Sequence, residues 1–346
     1  MRPDTAFDTH QSVVNAELDS VREARRRRNF FCDAFSKQPD VAETIPSGSL
    51  ARGTQRDPIH DVDLIIVYRP EDHPDWDTGY GSAKAALEYI RGQVTDLLGV
   101  SAGTCVHEVR LTHLRTHVVK CFLDDPKAKD PFAVEVMPAL RRPGGGLRIP
   151  ENRDGNDSGT GTDWVTADPE FLISKVADRH SDWRYFAPMV RAIKKWKDVA
   201  NLDMKSLVAE VLALTCLPSP QPGEVLTRPV ALQQFFTAAA SAVMDGVTDP
   251  AGWCGEIQPD LDRAAVRAAL LEGADVAARA VAAANRGDHD SAVCLWRSVF
   301  GADFPEPPGG CPAGRTASST ALLVGGAAAV TAPALIRRPV KDAPQG

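Results

Sequence analysis

The sequence predicts an α+β chain of two lobes, one built on a mixed sheet and one helical, with a tail behind them. Three observations carry that reading. The run Asp61-Val62-Asp63-Leu64-Ile65-Ile66-Val67 is apolar and β-branched after its acidic start, as a buried strand is. From residue 169 to 300 the apolar residues recur at helical spacing instead. Beyond 305 the composition shifts to Pro, Gly, Ala, Ser and Thr with few large apolar groups. The expected boundaries are 1–165 for the sheet lobe with an N-terminal helix, 166–305 for the helical lobe, and 306–346 for a flexible tail.

In chain order, Val14, Leu18, Val21, Phe31 and Phe35 are spaced for one long helix over 11–37. Its basic run, Arg22 with Arg25 to Arg28, reads either as a solvated helix face or as a contact for a polyanion. After the Asp61–Val67 strand, residues 69–81 are polar, rich in Pro and Asp, and read as a loop over the mouth of a site. An amphipathic helix follows over 82–98, then strands over His117–Leu123 and Phe132–Met137. Residues 141–163 read as loop. In the helical lobe Val190, Ile193 and Trp196 share one face with Lys194 and Lys195 beside it. The alanine-rich stretch 265–284 reads as close helix packing.

With 346 residues, 43% of them hydrophobic and 25% charged, the chain can bury one or two cores. A net charge of −7 means that any nucleotide or nucleic-acid site is a local basic patch. The seven cysteines are scattered, odd in number and without a CxxC pair. That argues against a disulfide framework and for a reducing, cytoplasmic setting. His113, His117 and Cys121 recur every four residues, but with no fourth ligand evident they read as structural rather than as a zinc site. The N-terminus lacks a signal-peptide core, and the apolar run 321–330 is too short to span a bilayer, so no membrane association is expected.

The chemistry-bearing stretch is Gly48-Ser49 followed by Asp61 and Asp63. Alternation along a strand puts both aspartates on one face. Two adjacent carboxylates repel, and a fold tolerates them where a cation sits between them; hard oxygen ligands suit Mg²⁺. The Gly48-Ser49 turn can offer backbone N–H groups and a hydroxyl to phosphate, although the P-loop spacing is absent. Glu135, inside the apolar string Ala133-Val134-Glu135-Val136-Met137, is costly to bury unless it is paired or metal-bound.

Gly-Ser, a short loop, then Asp-x-Asp entering an apolar strand resembles the nucleotidyltransferase superfamily of poly(A) polymerases and oligoadenylate synthases. With Arg52-Gly53-Thr54 before Asp61-Val62-Asp63-Leu64, the string looks most like the bacterial CD-NTases, relatives of cyclic GMP-AMP synthase. The resemblance spans about residues 10–305. It implies a third carboxylate at Glu135, where the family string has aspartate, and a triphosphate-holding segment in which Lys194 and Ser206 grip phosphates. Glu210, one turn after Ser206, is expected to orient helices. Trp296 to Pro305 resembles the terminus of CD-NTase cores.

The implied activity is template-independent joining of NTPs, ATP and/or GTP, into a cyclic oligonucleotide messenger. Two Mg²⁺ (or Mn²⁺) ions on Asp61, Asp63 and Glu135 would serve it, and the setting would be anti-phage signalling with a downstream cyclic-nucleotide effector. A ubiquitin-activating-like partner acting on Gly346 is a further implication. The rivals are a synthase of linear products, transfer of a nucleotide to RNA, protein or a small molecule, and a catalytically silent nucleotide or nucleic-acid sensor.

Overall fold

Asn15, Ala16 and Glu17 divide the expected N-terminal helix in two. In this computed structural model α1 spans Pro3–Val14 and α2 spans Leu18–Phe35. The residues described are 1–99, 109–125, 127–129, 131–152, 163–223 and 225–312. Asn15 and Glu17 are extended, Asn15 bridges to Arg56, and the Asp57 N–H donates to the Val14 carbonyl. Pairing with a loop some forty residues away therefore ends α1, and local helix propensity gives no sign of it.

The break lets the two helices serve different cores. Phe7 of α1 packs edge-on against Trp296, Phe300 and Phe304 in the helical lobe, while Val21, Ala24, Phe31 and Phe35 of α2 pack on the sheet. The first fourteen residues thus pack with the helical core rather than with the sheet lobe to which 1–165 was assigned. Three of the five arginines in the basic run of α2 are compensated close at hand: Arg22 pairs with Asp19, Arg26 with Glu23, and Arg27 with Glu23 and Asp124. Of the two readings, the structure favours a solvated helix face.

The sheet lobe holds β1 (Val41–Ser47), the short α3 (Gly48–Arg52), β2 (Asp61–Tyr68), α4 (Ser82–Leu98), β3 (Leu111–Leu114), β4 (Val119–Phe122), β5 (Ala133–Arg141), β6 (Leu147–Pro150) and β7 (Trp164–Ala167). The strands make a seven-stranded mixed sheet in the order β1-β2-β5-β4-β3, with β6 on β5 and β7 on β6. Only β2 and β5 are parallel, and they form its centre. Their near-continuous apolar runs follow from burial on both faces. Leu64, Ile66 and Tyr68 meet α2 and α4, and Ile65 and Val67 meet a second cluster with Met137, Leu147 and Ile149.

The expected strands over 117–123 and 132–137 correspond to β4 and β5. Residues 141–163, expected as loop, contain the last residue of β5 and the whole of β6. Strands of four residues carry almost no periodicity, and only a neighbouring strand makes them strands. The 69–81 segment is a further correction. It leaves the Tyr68 end of β2, opposite Asp61, where Trp76 packs on Tyr68, His73 and Trp164. It closes the back of the sheet, not the acidic end.

The helical lobe comprises α5 (Pro169–Asp182), α6 (Phe186–Val199), α7 (Ser206–Cys216), α8 (Arg228–Ala242), α9 (Arg263–Asn285) and α10 (His289–Phe300). Asp168 caps α5 by accepting from the Phe171 N–H at 2.9 Å, and Asp262 and Asp288 cap α9 and α10 in the same way. Helix α9 lies close to α8 at Gly273, where a Cβ would meet the Phe236 ring at 2.9 Å, and its Ala277 and Ala280 are buried.

One expectation about cysteine is corrected. Cys294 of α10 and Cys311, in the segment that returns past Phe304, form a disulfide with their Cα atoms 5.5 Å apart. A separation of 17 positions hides that proximity in the sequence. His117 and Cys121 are buried, and the His117 Nδ1 lies 2.7 Å from the Pro150 carbonyl oxygen, consistent with a structural role. No helix among the described residues is long and apolar enough to cross a membrane. The expected tail, 306–346 with Gly346, lies almost wholly outside the described residues.

Candidate active site

Strand polarity assembles the site. β1 ends where β2 begins, with Ser47 opposite Asp63, so the Gly48-Ser49 turn sits at the acidic end of β2. β5 runs parallel to β2 with Glu135 beside Asp63, and β4 brings Lys120 opposite Glu135. Cross-strand partners share a face. Asp61, Asp63 and Glu135 therefore gather on one face with Lys120 among them. The Lys120 Nζ lies 2.8 Å from Glu135 Oε1 and 3.8 Å from Asp61 Oδ2. Between the two aspartates Val62 is fully buried on the opposite face.

Gly48 is required by two facts at once. Its φ of +69° is left-handed, and a Cβ there would lie 1.5 Å from the Asp63 Oδ2. The Asp63 carboxylate thus rests on the bare backbone of the turn. Burial, then the charges of Asp61 and Glu135, push the Asp63 carboxyl well above the ordinary carboxylate range, against the pull of Arg52 and Lys120. Ser47 on the same face is buried, and its Oγ has no partner among the described residues.

These features fit a divalent cation. Asp61, Asp63 and Glu135 gather on one face, where their like charges raise the Asp63 carboxyl, and among the described residues the Ser47 hydroxyl stands unpaired beside them. Among the described residues no three acidic, His or Cys side chains converge into a closed cage, because Glu135 is turned onto Lys120. Asp61 and Asp63 could hold a cation directly, and Glu135 could join once released from Lys120.

The residues expected to grip phosphate are placed unequally. Ser49 is partly exposed on the turn, and Ser206 is exposed at the first position of α7. Lys194 is different. It is buried, paired with Glu210, and donates to the Thr54 carbonyl at 3.2 Å. Its expected role is corrected accordingly: helix α6 faces the sheet lobe at this point, so the side chain is consumed between the lobes.

Glu210 stands at the centre of that contact, accepting from Arg52 Nε at 2.8 Å and from the Thr54 hydroxyl at 2.9 Å. Burial opposes its ionisation, but the charges and hydrogen bonds of Arg52 and Lys194 hold the carboxyl down to about 2. Arg191 of α6 adds a hydrogen bond to the Gly53 carbonyl at 2.5 Å. The string Arg52-Gly53-Thr54 is thus the bearing on which the helical lobe seats, one short helix from Gly48. Sequence reading singled out this string as a marker but assigned it no role, and it missed Lys120 altogether. A lysine at an alternate position of a short apolar strand was the available signal for the latter.

No family model and no curated protein matches the sequence. Solved structures do match by fold. CdnC of E. coli MS115-1, with ATP, is 18% identical at a TM-score of 0.63, covering 88% of this chain and 99% of that one. The Bradyrhizobium diazoefficiens CD-NTase CdnG, in complex with GTP, is 11% identical at 0.59, covering 86% and 98%. The STING-associated CdnE c-di-GMP synthase of Capnocytophaga granulosa is 12% identical at 0.55, covering 80% and 86%. The sheet lobe, its acidic strand pair and the helical lobe therefore define a nucleotidyltransferase fold. Within that class, this chain has the fold of the bacterial CD-NTases.

Proposed function

We propose that this chain is a template-independent nucleotidyltransferase that joins NTPs, ATP and/or GTP, into a cyclic oligonucleotide messenger with release of pyrophosphate. The observation that carries the reading is the Asp61/Asp63 pair, on one face beside the Gly48-Ser49 turn, in a chain with this fold. The neighbours bound to ATP or GTP, or described as a cyclic dinucleotide synthase, support it. Anti-phage signalling is the setting that accompanies the reading.

Asp61, Asp63 and Glu135 are the residues that would hold two Mg²⁺ ions, whose chemistry is to acidify an attacking ribose hydroxyl and neutralise a phosphoryl group. The chain's own contribution is positioning. Gly48 lets the turn lie against Asp63, Ser49 offers a hydroxyl to phosphate, and Ser206 stands on α7 one turn before Glu210, on the face that meets Arg52. The Arg52–Glu210 bearing keeps those two serines in a fixed relation. Nucleotide selectivity then falls to side chains lining the cleft between the lobes.

The test is incubation with all four NTPs and Mg²⁺ or Mn²⁺, then phosphatase, then mass spectrometry. A phosphatase-resistant cyclic species that the Asp61→Asn, Asp63→Asn variant does not make is the expected result. Pyrophosphate release with no resistant species would replace the reading by a linear synthase. The Lys120–Glu135 ion pair favours a second reading, a silent nucleotide sensor, and nucleotide binding without any pyrophosphate release would establish it.

A further inference from the structure

On the acidic face Glu135 and Asp61 share the Lys120 ammonium, and the position of that ammonium has consequences for loading. Lys120 and Glu135 are directly opposed on β4 and β5, so their backbones hold the two side chains together. Their side chains are 19% and 16% exposed, which makes them a built-in pair rather than two surface chains in passing contact. The ammonium also leans toward Asp61, at 3.8 Å. It therefore stands where Glu135 would otherwise turn inward to complete a cation cage with the aspartates.

Resting on the metal-dependent reading above, we propose that Lys120 is a tethered cation occupying the Glu135 side of the acidic face. One divalent ion binds directly at Asp61 and Asp63, and a second enters only when the ammonium leaves Glu135. Two positive centres within a few ångströms of each other repel strongly in a partly buried site, so the ammonium and a second dication compete for Glu135. The pair is also built to open. Lysine binds as a point charge on a flexible four-carbon stem, without the bidentate grip of arginine. A perch is close by, because the Phe122 ring, two residues along β4, has its centroid 5.9 Å from the Lys120 Nζ, within the range of a cation–π contact. A triphosphate that brings the second ion also brings anionic oxygens able to draw the ammonium away. Loading is then ordered, with the Glu135 side filled last and with nucleotide.

The experiment is a Mn²⁺ titration of the full chain without nucleotide, with the free aquo ion read by electron paramagnetic resonance. Wild type should bind one Mn²⁺, with the second weaker by on the order of tenfold or more. Lys120→Gln should strengthen the second site by about that factor, and Lys120→Met, which keeps the stem, should do the same. Lys120→Arg, which keeps the charge and grips a carboxylate with a fork, should leave the second site as weak as in wild type or weaker, with thermal melting checking the fold of each. Two equal sites in wild type, or a Lys120→Gln titration that superimposes on wild type, would overturn the proposal. If neither wild type nor Lys120→Gln binds Mn²⁺, the metal-dependent reading itself falls, and the ordered loading falls with it.

Discussion

The Arg52 Nε lies 2.8 Å from the Glu210 Oε2, with the two side chains only 2% and 1% exposed and 158 residues apart in the chain. This ion pair joins α3, which begins at Gly48, to α7, which begins at Ser206. It is therefore the physical link between the turn beside Asp63 and the helical lobe. Breaking such a pair from one side leaves buried charge without compensation. Glu210→Ala strands both Arg52 and Lys194 and should cost about 3–5 kcal/mol in chemical denaturation. An unchanged denaturation midpoint would mean that the pair carries no such weight.

The same carboxylate sets a pH dependence. Glu210 is held down to about 2 in the folded chain, against an ordinary value of 4.5. In that interval the unfolded chain binds more protons, so stability rises with pH. The contribution is complete above about 4.5 and is lost as pH falls toward 2. Melting temperature followed from pH 5 to 2 should drop more steeply in wild type than in Glu210→Gln. Parallel curves would assign the acid sensitivity to other groups.

Asp61→Asn with Asp63→Asn should abolish pyrophosphate release. It should also leave the melting temperature unchanged or raised, because burial and like charge already disfavour the ionised Asp63. A variant that turns over at wild-type rates would remove the acidic pair from the chemistry.

Gly48→Ala places a methyl group where the Asp63 carboxylate lies and imposes strain at a φ of +69°. Displacing a reacting group by an ångström costs about a hundredfold in rate, and a loss of that size is expected in pyrophosphate release. Wild-type activity in this variant would show that Asp63 does not need the turn.

Reduction of Cys294–Cys311, which closes a loop of 17 residues, should lower the stability of the helical lobe by about 3 kcal/mol. Dithiothreitol should shift the melting curve of wild type and leave that of Cys294→Ser in place. Equal curves with and without reductant in wild type would mean that the bridge contributes nothing.

Much of the architecture was legible because it is periodic or local. The β2 run, α4 and the long apolar faces of α6 and α7 announce themselves by burial patterns that repeat within a single element. The Asp61/Asp63 pair was legible because alternation along one strand is a property of the backbone itself. What escaped was non-local. Asn15 ends a helix only because Arg56 pairs with it, β6 is a strand only because β5 lies beside it and β7 only because β6 does, and Cys294 meets Cys311 only after the chain turns past Phe304.

The amino-acid order is enough to locate two acids on one strand face, a glycine turn before them, a helical second lobe and a compositionally distinct tail. It could not say which cations face those acids or where the lobes touch. Lys194 illustrates the difference: local pattern marks it as a cation near a tryptophan, and folding turns it into the partner of a buried glutamate instead. Lys120 illustrates the reverse, an unremarked residue that β4–β5 register sets opposite Glu135. The reason is physical. Side-chain direction along one element follows from backbone geometry, whereas the partner a charge finds depends on the register and packing of elements far apart in the chain.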